Sequence, residues 1–149
     1  MFEVVVQLSI SGHQYFFHQY LQTARLFTKR LNDQLAKHDL FHSQWAIIYY
    51  LKHYGPSTLV DISNYLNVEK PTITRTVTRL QERDIIEQIP SDNKREKRIQ
   101  LTEAGREIYI TCIHHVSEFE EKVMSSVSED EIKIMMKIFG KMQHQLQHE

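Results

Sequence analysis

Two groups of hydroxyl and cationic side chains in this 149-residue chain have the chemistry to bind a polyanion. The first comprises Lys70, Thr72, Thr74, Arg75, Thr78 and Arg79, and the second comprises Lys94, Arg95, Lys97 and Arg98. Ammonium and guanidinium groups neutralise phosphate charge, and hydroxyls and guanidiniums hydrogen-bond phosphate oxygens or base edges. A basic run in a loop is usually a solvated turn, so its meaning depends on the elements around it.

The stretch from Thr58 to Gly105 predicts a helix, a tight turn, a second helix and a two-stranded hairpin with a basic tip. Thr58 and Asp61 have the spacing of a capping box, and Pro71 suits the first turn of the second helix. Apolar residues of that helix recur on one side, which leaves its threonines and arginines on the other. The strands are predicted over 85–89 and 98–101, where Ile99 and Leu101 alternate with polar residues.

Two further local signals flank these elements. A helix is predicted over 43–54, with Ser43 as its N-cap and Tyr49 on its buried side. Asp84 follows the helix that begins near Pro71, at a position where aspartate tolerates left-handed geometry.

The net charge of −1 speaks against a strong overall attraction to nucleic acid, but the charges are unevenly distributed. Residues 67–102 contain eight basic and six acidic side chains, so this stretch is positive while the remainder is negative. Where the charges lie therefore matters more than their sum.

Long amphipathic helices are predicted on both sides of this middle unit, over about 13–38, 102–125 and 128–147. Thr102 is the expected N-cap of the second, and Ser128 with Glu131 has the spacing of a capping box for the third. Their apolar stripes exceed what the middle unit can cover, which predicts a homodimer built from the terminal helices of two chains. We expect the dimer contacts to include Phe17, Leu21, Ile113, Phe119, Met135, Phe139 and Met142. The alternative is a monomer that folds its own termini together.

The predicted organisation is one continuous fold. Residues 1–12 form an N-terminal extension, 43–102 the middle domain, and 13–42 with 103–149 the helical dimerisation region. The apolar run over 1–11 has no basic n-region and is too short to span a bilayer, so we expect no membrane association. It is either a poorly ordered extension or an arm that packs on a partner subunit.

The chain resembles the MarR family of winged helix-turn-helix transcription regulators from His13 onwards. The resemblance rests on LVDISNYLNV at 59–68, KPTITRTVTRLQER at 70–83 and IQLTEAG at 99–105, in this order and with the basic hairpin between the last two. It implies a mainly α fold with a small β-hairpin wing, flanked by N- and C-terminal dimerisation helices. It also implies a dimer, a pseudo-palindromic double-stranded operator and often a small-molecule or redox input. The family's wing often carries aspartate two residues before its tip arginine; here these positions are Asn93 and Arg95.

In this arrangement the helix from Lys70 would lie in the major groove and Arg95 would enter the minor groove. Arg75 is long enough to reach a guanine edge, whereas Arg79 is expected to meet phosphate. Lys94, Lys97 and Arg98 would neutralise phosphates. The sequence thus predicts a sequence-specific regulator, acting in the cytoplasm as a repressor that a small ligand or a stress signal releases from DNA.

The sequence does not identify the signal that releases the regulator from DNA, and no cofactor is expected. His42, His114 and His115 are the metal-ligand candidates in a metal-responsive alternative, but no paired-ligand spacing accompanies them. Cys112 is the redox candidate, although a buried cysteine usually behaves as a small hydrophobe. Phe16, Tyr20, Trp45, Tyr49 and Tyr50 could line a ligand cavity, but aromatics at helical spacing are more often core.

The sequence argues against two other function classes. The sequence has no phosphate-binding glycine loop, no GxSxG and no metal-hydrolase spacing, so we expect no enzyme activity. A winged helix used only as a protein-interaction scaffold should expose apolar anchors where this sequence has threonine and arginine.

Overall fold

A computed structural model of the chain describes residues 12–93 and 95–149. They form two compact units that divide between Val116 and Ser117. The expected N-terminal extension therefore lies, except for Gly12, outside the described residues, and so does Lys94. The elements in chain order are α1 (Gly12–Leu35), a 3-10 turn (Ala36–His38), α2 (His42–Tyr54), β1 (Ser57–Thr58), α3 (Leu59–Leu66), α4 (Lys70–Glu82), β2 (Ile86–Ile89), β3 (Arg98–Leu101), α5 (Glu103–Val123) and α6 (Glu129–Gln147).

Short-range hydrogen bonds begin and end the helices of the first unit. The Oγ1 atom of Thr58 accepts from the amide of Asp61 at 3.1 Å, and the Asp61 carboxylate accepts from the amide of Thr58 at 3.2 Å. The predicted capping box of α3 is thereby confirmed. The predicted Ser43 cap of α2 was wrong: that helix begins at His42, and the side chain of Gln44 accepts from the amide of Phe41 at 3.0 Å.

The wing is a three-stranded antiparallel sheet in the order β1-β3-β2, and not only the predicted two-stranded hairpin. β2 pairs with β3 over four residue pairs, from Ile86 with Leu101 to Ile89 with Arg98. β1 pairs with the other edge of β3 through Ser57 with Ile99 and Thr58 with Arg98. β1 has only two residues, too few for an alternating pattern to mark it in the sequence.

One apolar core joins the helices of the first unit to the sheet. Ile73, Val77 and Leu80 of α4 are buried in it, as their spacing predicted. α2 departs from the prediction, because Tyr49 is 43% exposed although it was expected on the buried side. The buried side chains of α2 are Gln44, Trp45, Ile47, Ile48, Tyr50 and Leu51.

The sheet is attached to α4 and α5 at one junction. After α4 the chain turns through Asp84, which has a left-handed φ of 58°. Thr102 closes the junction: its amide donates to the carbonyl of Ile85 at 3.0 Å, and its hydroxyl donates to the carbonyl of Asp84 at 2.5 Å. The same hydroxyl oxygen accepts from the amide of Gly105 at 2.9 Å and so caps α5, as expected.

The second unit consists of the end of α5 and all of α6. Ser128 and Glu131 form the predicted capping box of α6, with bonds of 3.1 and 3.0 Å. Within the described chain α6 contains no buried residue, although Met135, Phe139 and Met142 form an apolar stripe along it. No helix in residues 12–93 and 95–149 is long and apolar enough to cross a membrane.

We expect Gly105→Ala to destabilise the fold by about 1–3 kcal/mol, the usual cost of overpacking. A Cβ atom at Gly105 would lie 2.2 Å from the carbonyl oxygen of Ile85, which is backbone and cannot move aside cheaply. Chemical denaturation followed by circular dichroism measures the change.

Gly140→Ala is the matched control, because a Cβ at Gly140 in α6 has no neighbour within 4 Å. We expect it to be neutral or to stabilise the fold by up to about 1 kcal/mol, since alanine is the better helix former. Equal stability of Gly105→Ala and the parent would contradict the close contact at the junction.

Candidate nucleic-acid interface

α4 presents its polar side to solvent because its apolar side is locked into the core. The helix has proline in its first turn, and the carbonyl of Glu69 accepts from the amides of Thr72 and Ile73 at 3.0 and 3.2 Å. Lys70, Arg75, Thr78 and Arg79 are exposed, and Thr72 and Thr74 are half-buried. All six predicted contact residues of α4 therefore lie away from its buried edge.

The threonine hydroxyls of α4 donate to the helix backbone. Thr74 Oγ1 donates to the carbonyl of Lys70 at 2.9 Å, and Thr78 Oγ1 donates to the carbonyl of Thr74 at 2.9 Å. Thr76, which the sequence analysis did not single out, does the same to Thr72 at 3.0 Å. A hydroxyl has one proton, so each oxygen keeps its lone pairs for accepting a hydrogen bond. These oxygens match the amino groups of adenine and cytosine, and the γ-methyls match the thymine methyl.

Asn93 shapes the tip of the wing. Its side-chain oxygen accepts from the amide of Arg95 at 3.1 Å, and its carbonyl accepts from the amide of Glu96 at 3.0 Å. The amide oxygen thus does what an aspartate carboxylate does in such a turn, so asparagine at this position preserves the local geometry. Arg95 and Lys97 are exposed beyond this turn.

Helix α4 and the wing meet in an open cleft of about 490 Å³. Five predicted contact residues line it: Lys70 and Thr74 from α4, and Arg95, Lys97 and Arg98 from the wing. The others in the described chain, Thr72, Arg75, Thr78 and Arg79, lie on α4 outside the cleft lining. Arg98 is half-buried and donates to the carbonyl of Pro56 at 3.3 Å, so it also anchors the base of the wing.

The sequence analysis missed the first turn of α3 as part of this cleft. Residues 58–61 and Glu96 complete its lining. The capping box identified the helix start, but only the pairing of Thr58 with Arg98 brings that start beside the wing. Backbone amides at a helix N-terminus favour negative charge, and here the Asp61 carboxylate already accepts from the amide of Thr58.

Two of the three histidines named as metal-ligand candidates, His42 and His115, have side-chain partners of their own. Nδ1 of His115 lies 2.8 Å from Nε2 of His38. The ring and the amide of His42 instead contact the side-chain oxygen of Asn32, at 3.3 and 2.8 Å. In the part of the chain that the structure describes, no three His, Cys, Asp or Glu side chains, His114 included, are grouped as metal ligands.

Cys112 is a core residue with no exposed surface. Burial raises the pKa of its thiol to about 11, and the nearby positive charge of Arg83 opposes this only in part. At neutral pH the thiol is therefore protonated, whereas an oxidant-sensing cysteine needs an accessible thiolate.

The aromatic residues divide between core and surface. Trp45 stacks on Tyr109 with ring centroids 5.5 Å apart and planes inclined by 7°, and Tyr50 is also buried. Phe16, Tyr20 and Tyr49 are exposed. These five aromatic residues therefore do not share one buried environment within a single chain.

Comparison with known proteins agrees with this geometry. Residues 40–105 match the model of a winged helix DNA-binding domain. The uncharacterized HTH-type transcriptional regulator YwoH of Bacillus subtilis is 35% identical over 127 residues, which cover 85% of this chain and 93% of the relative.

Solved structures show the same fold. Staphylococcus aureus MarR in complex with salicylate and kanamycin is 27% identical, covers 99% of this chain and 98% of its own, and superimposes with a TM-score of 0.82. The S. aureus MepR–DNA complex is 22% identical, with coverage of 87% and 96% and a TM-score of 0.78, and supports the fold alone. The chain belongs to the MarR family of winged helix-turn-helix transcriptional regulators.

Proposed function

We propose that this regulator binds a pseudo-palindromic operator as a homodimer and represses transcription until a small molecule releases it. The observation that carries the proposal is the shared cleft, in which Lys70 and Thr74 of α4 lie beside Arg95, Lys97 and Arg98 of the wing. A helix and a basic hairpin that meet in this way can occupy a major groove and the adjacent minor groove of one duplex.

The two elements divide the recognition work. α4 enters the major groove, where the outward lone pairs of Thr74 and Thr78 accept hydrogen bonds from base amino groups and Arg75 reaches guanine. Arg75 already donates to the hydroxyl of Thr72 at 3.3 Å, which directs its guanidinium along the same face. Arg95 enters the minor groove, where narrow A·T tracts concentrate negative potential.

Dimerisation is supported by the apolar surfaces that a single chain leaves open. α1 has 24 residues but buries only Leu35, while Phe17 and Leu21 are 47% and 46% exposed. Met135 of α6 is 39% exposed, and Ile113, Phe119 and Met142 are half-buried. A second copy that covers these residues also places two α4 helices against one duplex. The dimerisation region accordingly comprises 13–42 and 103–149, and the DNA-binding domain comprises 43–102.

The effector class is a small organic molecule. The S. aureus MarR structure contains salicylate, and this chain shares the fold over nearly its whole length. Cys112 does not provide an alternative redox input, because it is buried and protonated. The protein acts on DNA in the cytoplasm and has no catalytic role.

We expect the protein to bind the DNA just upstream of its own coding region, with log K falling by about 0.9 per phosphate neutralised as log salt rises. Arg95→Ala should lower the affinity by about 1–3 kcal/mol and make the salt dependence less steep, since one cation leaves the cleft. Fluorescence anisotropy with labelled duplex over a salt series measures both quantities.

Arg30→Ala is the matched control, because it removes an arginine from α1 that makes only a weak surface ion pair with Asp33 at 3.8 Å. We expect it to change neither the DNA affinity nor its salt dependence. If Arg95→Ala binds like the parent at every salt concentration, the wing does not contact DNA. If the parent binds no duplex, the proposed operator binding is overturned.

We expect Cys112 to resist thiol reagents in the folded protein and to react at the ordinary rate after unfolding. Burial leaves almost no thiolate at neutral pH, because the pKa is raised to about 11. Labelling with a disulfide reagent, with and without denaturant, measures the difference. Rapid labelling of the folded chain, together with loss of DNA binding, would restore Cys112 as a redox sensor.

A further inference from the structure

One turn of the chain is held by contacts from two other helices. This is the turn at His38 and Asp39, where α1 has ended and Asp39 takes a left-handed φ of 55°. Arg83, at the end of α4, donates to the carbonyl of Asp39 at 2.5 Å and to the carbonyl of His38 at 3.4 Å. His115 of α5 contacts the ring of His38, with the nitrogen atoms 2.8 Å apart.

Arg83 is poorly placed to bind DNA itself. It caps the C-terminal end of α4, whereas Lys70 and Thr74, which line the cleft, belong to the first turns of that helix. Its guanidinium is already engaged by two backbone carbonyls, which are strong acceptors for a charged donor. Arg83 therefore links the far end of the recognition helix to the end of α1.

The two histidines form a contact that depends on protonation. A nitrogen–nitrogen distance of 2.8 Å is that of a hydrogen bond, so one ring donates and the other must be a neutral acceptor. The pair can carry one proton but not two, because two imidazolium rings at this distance have no acceptor and repel each other. A second proton on the pair therefore breaks this contact.

We propose that Arg83 is a positioning residue for operator binding and that the His38–His115 pair holds the turn to which Arg83 is attached. Protonation of both histidines releases the turn. Arg83 then no longer fixes the end of α4 against a rigid partner, and DNA binding weakens at acid pH. This inference rests on the proposed function, and it assigns the pair an input separate from a small-molecule effector.

The charges around His38 support the direction of the effect. The groups that face it are Lys37 and Asp39 on its own turn, Arg83 from α4, and His115 and Glu107 from α5. Burial, and then the charges of His115 and Lys37, lower the pKa of His38. A lowered pKa means that the folded junction favours neutral His38, so this stabilisation is present above the ordinary histidine pKa and is lost as the pH falls through the lowered value.

A double-mutant cycle tests the inference on the full-length protein and a duplex that the parent binds. Operator affinity is measured for the parent, Arg83→Met, His115→Gln and the double variant, from about pH 7.5 to about pH 5.5. We expect Arg83→Met to bind about tenfold more weakly at the higher pH, with an unchanged slope of log K against log salt. Arg83→Lys should recover part of this loss, since its ammonium can donate to one carbonyl.

His115→Gln should flatten the pH dependence in the parent and have no further effect in Arg83→Met. His148→Gln is the control for general histidine titration and should follow the parent. A shallower salt dependence in Arg83→Met would make Arg83 a phosphate contact and overturn the positioning role. Additive effects in the double variant would overturn the coupling between Arg83 and the histidine pair.

The two proposals fail in different ways. If the parent binds no duplex at any salt concentration, both the proposed function and this inference are overturned. If the parent binds the duplex, and both Arg83→Met and Arg83→Lys bind it as tightly as the parent does, only the inference is overturned. Thermal unfolding and size-exclusion chromatography of each variant show whether the fold and the dimer are intact. A variant with both intact has lost only the contact between Arg83 and the turn.

Discussion

The close approach of Gly105 to the carbonyl of Ile85 determines how the wing is attached to the rest of the molecule. β2 begins directly after Ile85 and β3 ends at Leu101, directly before Thr102. Thr102 joins both points through its bonds to Asp84 and Ile85, so the wing leaves and returns at one fixed place. Any side chain at 105 would push the start of α5 away from that place. Because α4 ends at the same junction, the orientation of the wing relative to α4 is set there, far from the exposed tip.

A second attachment holds the opposite edge of the wing. β1 adds only two residues to the sheet, yet it places the first turn of α3 beside the basic tip. The bond from Arg98 to the carbonyl of Pro56 reinforces this edge. With both edges of β3 paired at its base, the hairpin can extend into solvent and still present Arg95 at a defined position. A recognition surface built from two elements needs this rigidity, because a small misplacement of one of them would lose the adjacent groove.

The features that the sequence predicted are those that depend on neighbouring residues. The two capping boxes, the proline start of α4, the left-handed Asp84 and the buried stripe of Ile73, Val77 and Leu80 are local, and each was confirmed. What was missed depends on residues far apart in the chain: β1 pairs with a strand about forty positions later, and His38 meets His115 at a separation of 77. No periodicity in the sequence records such pairings, so neither of these two contacts could be predicted. The DNA-contact set as a whole, and the role of each of its members, stay predictions.

The chain's small negative net charge is compatible with DNA binding because the two acidic residues of the cleft are offset by a helix N-terminus and by neighbouring basic side chains. Asp61 lines the cleft but is engaged at the N-terminus of α3, where its carboxylate accepts from the amide of Thr58 and the helix dipole offsets its charge. Glu96 is the other acidic side chain of the lining, set among Lys70, Arg95, Lys97 and Arg98. The local field is therefore positive while the protein as a whole repels DNA weakly. Such a protein gains little from non-specific attraction to DNA, so its affinity depends on the correct placement of the cleft. A contact that positions α4, such as that of Arg83 with the turn at His38 and Asp39, can then control binding.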